Sequence, residues 1–293
     1  MPETGASRKP QGARRKPQGA SRRPHAASWM AGGAVLVLAL TMVVPFLYMV
    51  STALMGEGDV VRYPGPLIPV SPHLGNFGAA LTALPFARFF FNTAIFSVSV
   101  VAGQLVTSTT AAYAFSRLRF PGRDRVFMAY LSVLMVPAVV LLIPRFLIIN
   151  ALGWVDTYAG LISTELVSVW GIFLLRQVFL TLPRDLEDAA RLDGAGEWTI
   201  FWRVVLPLSK PALATVAVFA FANQWKSFLW PLIATRSTEM QVVEVGLATF
   251  HGLYYANWPY QMAVAVTAVA PLAALYFVAQ RYFIRGIELT GIR

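Results

Sequence analysis

Six stretches of this chain, at about 29–54, 92–115, 126–150, 159–180, 211–235 and 261–283, are apolar over a length that water does not tolerate. A helix needs about 20 apolar residues to cross the hydrocarbon core of a bilayer. Inside lipid every backbone N–H and C=O must be satisfied within the protein, so runs of this length without alternation are read as helices. Composition agrees. Hydrophobic residues make up 57% of the chain and charged residues only 13%, against about 25% charged in soluble domains. The chain reads as an all-α membrane protein with six transmembrane helices. Its first apolar run is longer than the apolar core of a cleaved leader, so it is read as a retained span.

The basic residues then orient the spans. Of 24 Lys and Arg, 19 fall in four places: the stretch up to Ser28, the 2–3 connection (Arg117, Arg119, Arg123, Arg125), the 4–5 connection (Arg176, Arg184, Arg191, Arg203, Lys210) and the end of the chain (Arg281, Arg285, Arg293). With six spans these four places share one side, and the basic side is cytoplasmic. Both termini are therefore expected inside a multi-pass cell (inner, cytoplasmic) membrane protein. The net charge of +10 is a topology signal and a lipid-headgroup contact, not a nucleic-acid surface. The chain has no cysteine, which excludes disulfides and thiolate metal sites. His25, His73 and His251 show no ligand spacing, so no metal site is expected. Residues 1–28, with a repeated "KPQGA", predict a disordered basic cytoplasmic tail. Residues 29–285 form the six-span domain, and 286–293 a cytoplasmic C-terminal tail.

Between spans one and two lies the longest external connection, 55–91, where four prolines from Pro64 to Pro72 stop regular structure. The last external loop holds Phe250, Tyr254, Tyr255, Trp258 and Tyr260. These aromatics fit an interfacial belt, or a contact surface for a protein or sugar.

The segment between spans four and five, "EDAARLDGAGEWTIFWRVVLPLSKP" (187–211), is polar and punctuated. Asp185 is a good N-cap, with Asp188 three residues on. The acids Asp185, Glu187 and Asp188 suit a helix N-terminus, and Gly194 suits a left-handed stop. A short helix over 186–193 follows. Trp198, Phe201, Trp202 and Val205 fall at i, i+3, i+4 and i+7, giving a second helix with one apolar face at the membrane surface. Pro207 ends it, and Pro211 opens the next span. Pattern alone leaves two readings: an ordinary amphipathic loop with good caps, or a rigid handle whose polar tip docks a cytoplasmic partner.

Asp188-Ala189-Ala190, Gly194 and then, after nine residues, Val204-Val205-Leu206-Pro207 resemble the "EAA" loop of binding-protein-dependent ABC importer permeases. Asp for Glu at 188 and Val for Ile at 204 depart from that pattern. "PFLYMVSTAL" (45–54), "RFFFNTAIFSV" (88–98), "AAYAFSRLRFPGRD" (111–124), "FLWPL" (228–232) and "QRYFIRGIELTGIR" (280–293) are similar to strings of the carbohydrate-importer subgroup, in its second permease of maltose and glycerol-phosphate type. Trp225-Lys226-Ser227 departs from the subgroup's Trp-Asn. The resemblance implies a type I importer fold with a cytoplasmic coupling helix between spans four and five. It also implies a homologous permease as heterodimer partner, two copies of an ABC ATPase, and an extracytoplasmic solute-binding protein delivering a sugar or oligosaccharide. Glycerol phosphate, an amino acid or a peptide is the alternative cargo. It assigns ATPase coupling to Glu187, Asp188, Ala189, Ala190, Asp193, Gly194, Ala195, Leu206 and Pro207. ATPase contact by the tail falls to Thr290 and Gly291, and binding-protein contact to His251, Tyr254, Tyr255, Asn257 and Trp258. The chain has no G-x-x-x-x-G-K-[ST] loop. No cofactor is expected on it; ATP and Mg are used by the partner ATPase, and the subunit is not an enzyme.

Glu165 and Lys226 are the ionisable residues placed deepest in spans. Intramembrane charges usually face a partner or cavity. With Asn223 and Gln224 they are candidates for the substrate pathway or for pairing with each other; alternatively they sit nearer the interface, with Lys226 snorkelling. Arg145 is read as interfacial. Gln104, Thr107 and Ser108 either line the pathway or bond between helices, and the second reading is preferred. Two other classes fit less well. A membrane enzyme needs converging acid–base or metal groups, whereas the acids here collect in one loop. A secondary transporter usually shows internal repeats or proton-relay groups, and no convincing repeat is found.

Overall fold

The computed structural model describes residues 26–60, 62, 66–69, 71–249 and 257–290, with side chains from 31 to 280. The chain divides into two compact units, up to Leu47 and from Tyr48 onward. The first is most of helix α1 (Ala26–Ala53). Its apolar residues 31–47 are exposed, as a lipid-facing helix requires.

In the second unit, α2 (Glu57–Val60) and α3 (Gly75–Ala83) interrupt the first external connection. Pro66, Pro69 and Pro72 lie between these helices, as their missing N–H groups demand. The spine is α4 (Phe86–Arg117), an unbroken run of 32 residues. Small and polar buried side chains on it, Ser97, Ser108, Thr109, Ala112 and Ser116, let neighbours approach closely. The span expected at 126–150 is α5 (Arg123–Leu131) and α6 (Leu142–Ala151), linked by short 3-10 turns and bent by 99° at Val136–Pro137. The span expected at 159–180 is α7 (Tyr158–Ser163) and α8 (Val169–Thr181). Between them Gln104 Nε2 donates to the Glu165 carbonyl at 2.8 Å and Thr107 Oγ1 to the Leu166 carbonyl at 2.7 Å. Gln104 and Thr107 thus take the interhelical bonding role and fill acceptors that the break releases, whereas the buried Ser108 Oγ makes no hydrogen bond. A Cβ on Gly171 of α8 would sit 2.8 Å from Ser108 Oγ, so the two helices meet at a glycine.

The polar connection carries α9 (Asp185–Leu192), α10 (Glu197–Ile200), a π-helical turn over Phe201–Val205 and α11 (Leu206–Leu208). The span expected at 211–235 is α12 (Lys210–Trp225) and α13 (Leu229–Ala234), parted at Lys226–Phe228. The chain then forms α14 (Val243–Thr249) and α15 (Trp258–Thr290). The last helix runs on through residues 286–290, which had been assigned to a tail. No strand occurs among the described residues.

Three helices, Ala31–Ala53, Phe86–Arg117 and Trp258–Gln280, are long and apolar enough to cross a membrane unbroken. Two bent pairs raise that number to five if each is one span. Three apolar clusters surround α4: Phe86 and Phe89 with Val243, Ala263 and Val264; Phe96 and Val100 with Ile149, Leu161 and Trp230; and Ala112 and Tyr113 with Leu175, Phe179, Phe201 and Val205.

Candidate functional site: an exposed helix locked to the end of the spine

Three acids, Asp185, Glu187 and Asp188, occupy the first turn of α9 and Arg191 its last, which suits both ends of the helix dipole. Asp185 is not the N-cap. The helix begins one residue earlier than expected, Arg184 holds the cap position, and no side chain caps it. The stop is as expected. Gly194 lies in the left-handed region, φ 84°. Its N–H donates to Arg191 O at 3.0 Å, and Ala195 N–H donates to Ala190 O at 2.9 Å. That pair of bonds is the Schellman closure, which favours glycine at the left-handed position.

The candidate coupling residues separate into two faces. Asp188, Ala189, Asp193 and Gly194 are exposed, and Leu192 between them is 90% exposed. Ala190, Ala195 and Leu206 pack against the cluster around Tyr113 and Phe201, while Pro207 is exposed. Glu187 departs from the expectation of a polar docking tip. It is 3% exposed and faces inward, where Arg117 Nε at the end of α4 lies 2.9 Å from its Oε1. That contact is ionic without hydrogen-bond alignment. Arg117 also donates from Nη2 to Leu182 O at 2.9 Å.

From there the charges form a chain. Arg191 lies 3.6 Å from Glu187, donates to Asp188 at 2.8 Å, and donates through Nε to Glu197 Oε1 at 2.9 Å. Tyr113 OH donates to Glu197 Oε2 at 2.6 Å. The bond from Arg191, with that from Tyr113, holds the Glu197 carboxyl below the usual carboxylate range. The bond to Glu197 holds the Arg191 guanidinium above its ordinary value. Buried charges persist only when paired. Here the pairing fastens α9 and α10 to the last turn of α4.

The second short helix differs from its expected form. Phe201 and Val205 are buried with Ile200, whereas Trp198 and Trp202 are exposed. The π turn adds a residue to the repeat and splits the expected single face. Pro207 does not end the helix. It sits in the first turn of α11, where a missing N–H is harmless, and the chain bends by 78° at Ser209 instead.

The pathway candidates are partly gathered. Glu165 bonds Arg145 rather than Lys226. Arg145 Nη2 also donates to Thr164 Oγ1 at 2.8 Å, and its guanidinium lies 4.1 Å over the Trp230 ring. Arg145 is thus turned into the protein rather than sitting free at an interface. Gln224 Nε2 donates to Glu165 Oε2 at 3.3 Å. Asn223 and Lys226 are exposed and make no ion pair among the described residues. Lys226 and Arg145 line one cavity of about 380 Å³, with Ser227, Phe228 and Trp230.

Asn257, a candidate for binding-protein contact, is an N-cap. Its Oδ1 accepts from Tyr260 N at 3.1 Å, and its amide donates to Glu57 at 2.6 Å. Trp258 beside it is exposed. His251, Tyr254, Tyr255 and Gly291, and the Thr290 side chain, lie outside the described residues.

The sequence alone gives Tyr113, Arg145 and Glu197 no site role, and reads Arg117 and Arg191 only as topology signals. The i, i+4 spacing of Glu187 and Arg191 was the one local signal of pairing.

A family model described as binding-protein-dependent transport system inner membrane component matches residues 104–289. The sn-glycerol-3-phosphate transport system permease protein UgpE of Rhizobium meliloti is 33% identical over 271 residues, 89% of this chain and 96% of that protein. The arabinooligosaccharides transport system permease protein AraQ of Halalkalibacterium halodurans is 34% identical over 269 residues, 91% and 96% of the two chains. A chain of a crystallised bacterial ABC transporter, involved in import of the acidic polysaccharide alginate, superposes with TM-score 0.78 at 26% identity, over 90% of this chain and 98% of that one. The matched region holds α9 and the C-terminal part of α4, with Tyr113 and Arg117, that it grips, and this chain belongs to the family of binding-protein-dependent transport system inner membrane components.

Proposed function

We propose that the chain is the passive permease subunit of an ATP-driven importer. It pairs with a homologous permease to form the pathway for a sugar or oligosaccharide brought by an extracytoplasmic binding protein. Two copies of an ABC ATPase, on separate chains, supply the work and use ATP and Mg. The observation that carries this reading is α9: a short helix exposed on one face, closed by Gly194, and locked on the other to α4 through Arg117 and Glu187. Such a helix suits a socket on a partner, and its rigid attachment suits it to pass on displacement.

The chain crosses the membrane six times with both termini cytoplasmic. Unbroken helices account for three of those spans, and the broken pairs α5–α6, α7–α8 and α12–α13 for the others. Relatives named for an oligosaccharide and for glycerol phosphate support a polyhydroxylated cargo. Arg145, Glu165, Gln224 and Lys226 are its candidate contacts. Broken helices at membrane depth occur where backbone is buried in protein or lines a cavity.

The test is ATPase activity of the purified complex, with and without sugar-loaded binding protein, for wild type and Gly194→Asp. Stimulation lost in an assembled mutant complex supports coupling through α9. A complex in which no ATPase co-purifies, and in which the mutant behaves as wild type, ends the reading.

A further inference from the structure

A second basic feature lies beside α9 and takes no part in its lock. The turn from α4 into α5 reverses at Gly122, φ 78°. It brings Arg119, Arg123 and Arg125 to the rim of a cavity of about 770 Å³, and Arg184, just before α9, completes it. The one carboxylate of the lining, Asp124, is already shared by Arg123 at 3.2 Å and Arg176 at 3.5 Å. The guanidiniums of Arg119, Arg125 and Arg184 have no hydrogen bond or ion pair among the described residues. Three unpaired forks converging on one basin is the arrangement that recognises phosphate oxygens.

What lies beside the basin tells which phosphate. Along α5 and the turn after it, Val126, Ala129 and Val133 fall at i, i+3 and i+7, and all three are exposed. A headgroup site opening onto an apolar exposed face is the shape of a phospholipid, with the charge at the membrane surface and chains against hydrophobic side chains.

We propose that this basin holds the headgroup of an anionic phospholipid. Its phosphate lies among Arg119, Arg125 and Arg184, and its acyl chains run along Val126, Ala129 and Val133. Because the Arg184 carbonyl accepts the N–H groups of Glu187 and Asp188, the lipid sits against the first turn of α9. The proposal needs only a membrane protein of this fold and is independent of the cargo.

The assembled transporter is placed in nanodiscs of phosphatidylcholine alone, or with phosphatidylglycerol or cardiolipin, and retained lipid is measured by native mass spectrometry. The test variant is Arg119→Gln/Arg125→Gln/Arg184→Gln; the control is Arg62→Gln/Arg236→Gln. Each basic residue at a bilayer surface strengthens anionic-lipid attachment by roughly fivefold, so the triple variant weakens retention by on the order of a hundredfold. Arg125→Gln alone, the safer variant for folding, weakens it about fivefold. The control retains lipid as wild type does. Inorganic phosphate added to the phosphatidylglycerol discs is the second arm. If phosphate alone binds and displaces the anionic lipid, the ligand is soluble and the lipid assignment falls. If the triple variant keeps its lipid but loses the ATPase, the basin is a protein interface and the proposal is overturned.

Discussion

Arg117→Ala tests whether the α9 lock is real. The substitution leaves Glu187, 3% exposed, with Arg191 at 3.6 Å as its remaining cation. Removing one partner of a buried ion pair costs about 3–5 kcal/mol. Two features reduce that figure here. Arg191 can swing closer, and the pair borders a cavity of about 360 Å³, large enough to admit water once Arg117 is truncated. About 2–3 kcal/mol is then expected for release of α9 from α4, at roughly 1.4 kcal/mol per tenfold in population. Amide hydrogen exchange over residues 185–196, in the assembled transporter in nanodiscs, should accelerate roughly thirty- to hundredfold, since each tenfold is about 1.4 kcal/mol. Exchange in α15 should not change.

The paired substitution decides the cause. Removing both charges with apolar replacements of similar size is close to neutral, because neither group is left buried and alone. Arg117→Met with Glu187→Leu should therefore exchange within about 1 kcal/mol of wild type. Single variants within twofold of wild type would refute the lock. A double variant worse than either single would show that Arg117 acts through packing instead.

Three further outcomes follow. Gly194→Val forces a β-branched side chain into φ 84°; it should destabilise the loop by about 1–2 kcal/mol, read as faster exchange over 190–196, with Gly194→Asn milder. Glu197 has a lowered folded pKa, so its contribution is complete above the unfolded glutamate value of about 4.3 and is lost as pH falls through the folded value. Protection of 185–200, corrected for intrinsic exchange, should hold from neutral pH to about 5 and fail below about 4, and Glu197→Gln should remove that acid limb. Glu165→Gln weakens a charge-assisted bond to Arg145 of about 1.5–3 kcal/mol. It should lower the melting midpoint of the complex measurably, whereas Lys226→Gln should leave it unchanged; equal effects would contradict the pairing seen here.

The long apolar runs made the helical class and the three unbroken membrane-length helices legible, because hydrophobic length has one reading in a bilayer. Gly194 was legible too, since few other residues suit its backbone. What stayed hidden depends on distance in sequence. Arg117 and Glu187 are 70 residues apart, and nothing local distinguishes a buried arginine from one that marks topology. Arg145 reads as interfacial for the same reason: its partners Glu165 and Trp230 come from distant segments, the α7–α8 break and α13. Breaks in spans were hidden differently. Hydropathy is blind to backbone direction, so α7 and α8 read as one span although the chain turns between them. The π turn at Phe201–Val205 shifted the register of an otherwise good amphipathic pattern.

The Arg117 and Tyr113 contacts belong to one helix. α4 has 32 residues, about 48 Å at 1.5 Å per residue, and is unbroken where its neighbours are bent. At its last turn Tyr113 and Arg117 hold Glu197 and Glu187. Near its first, buried Asn92 donates to the Glu239 and Gln241 carbonyls at 2.8 and 2.7 Å and accepts from Tyr158 OH at 2.6 Å. Asp156 Oδ1 extends that second anchor by accepting the N–H groups of Arg236 and Ser237. Burial alone would raise its carboxyl, but the bonds from these two N–H groups outweigh it and hold the pKa below the usual range. Both ends of a stiff rod are therefore pinned, one to the exposed helix and one to the loops at the opposite end. A displacement of α9 that keeps the Arg117–Glu187 pair intact must move α4, and α4 must carry the 239–241 segment with it. Bending is left to the broken helices around it, whose freed carbonyls at Glu165 and Leu166 are already bonded to α4 side chains.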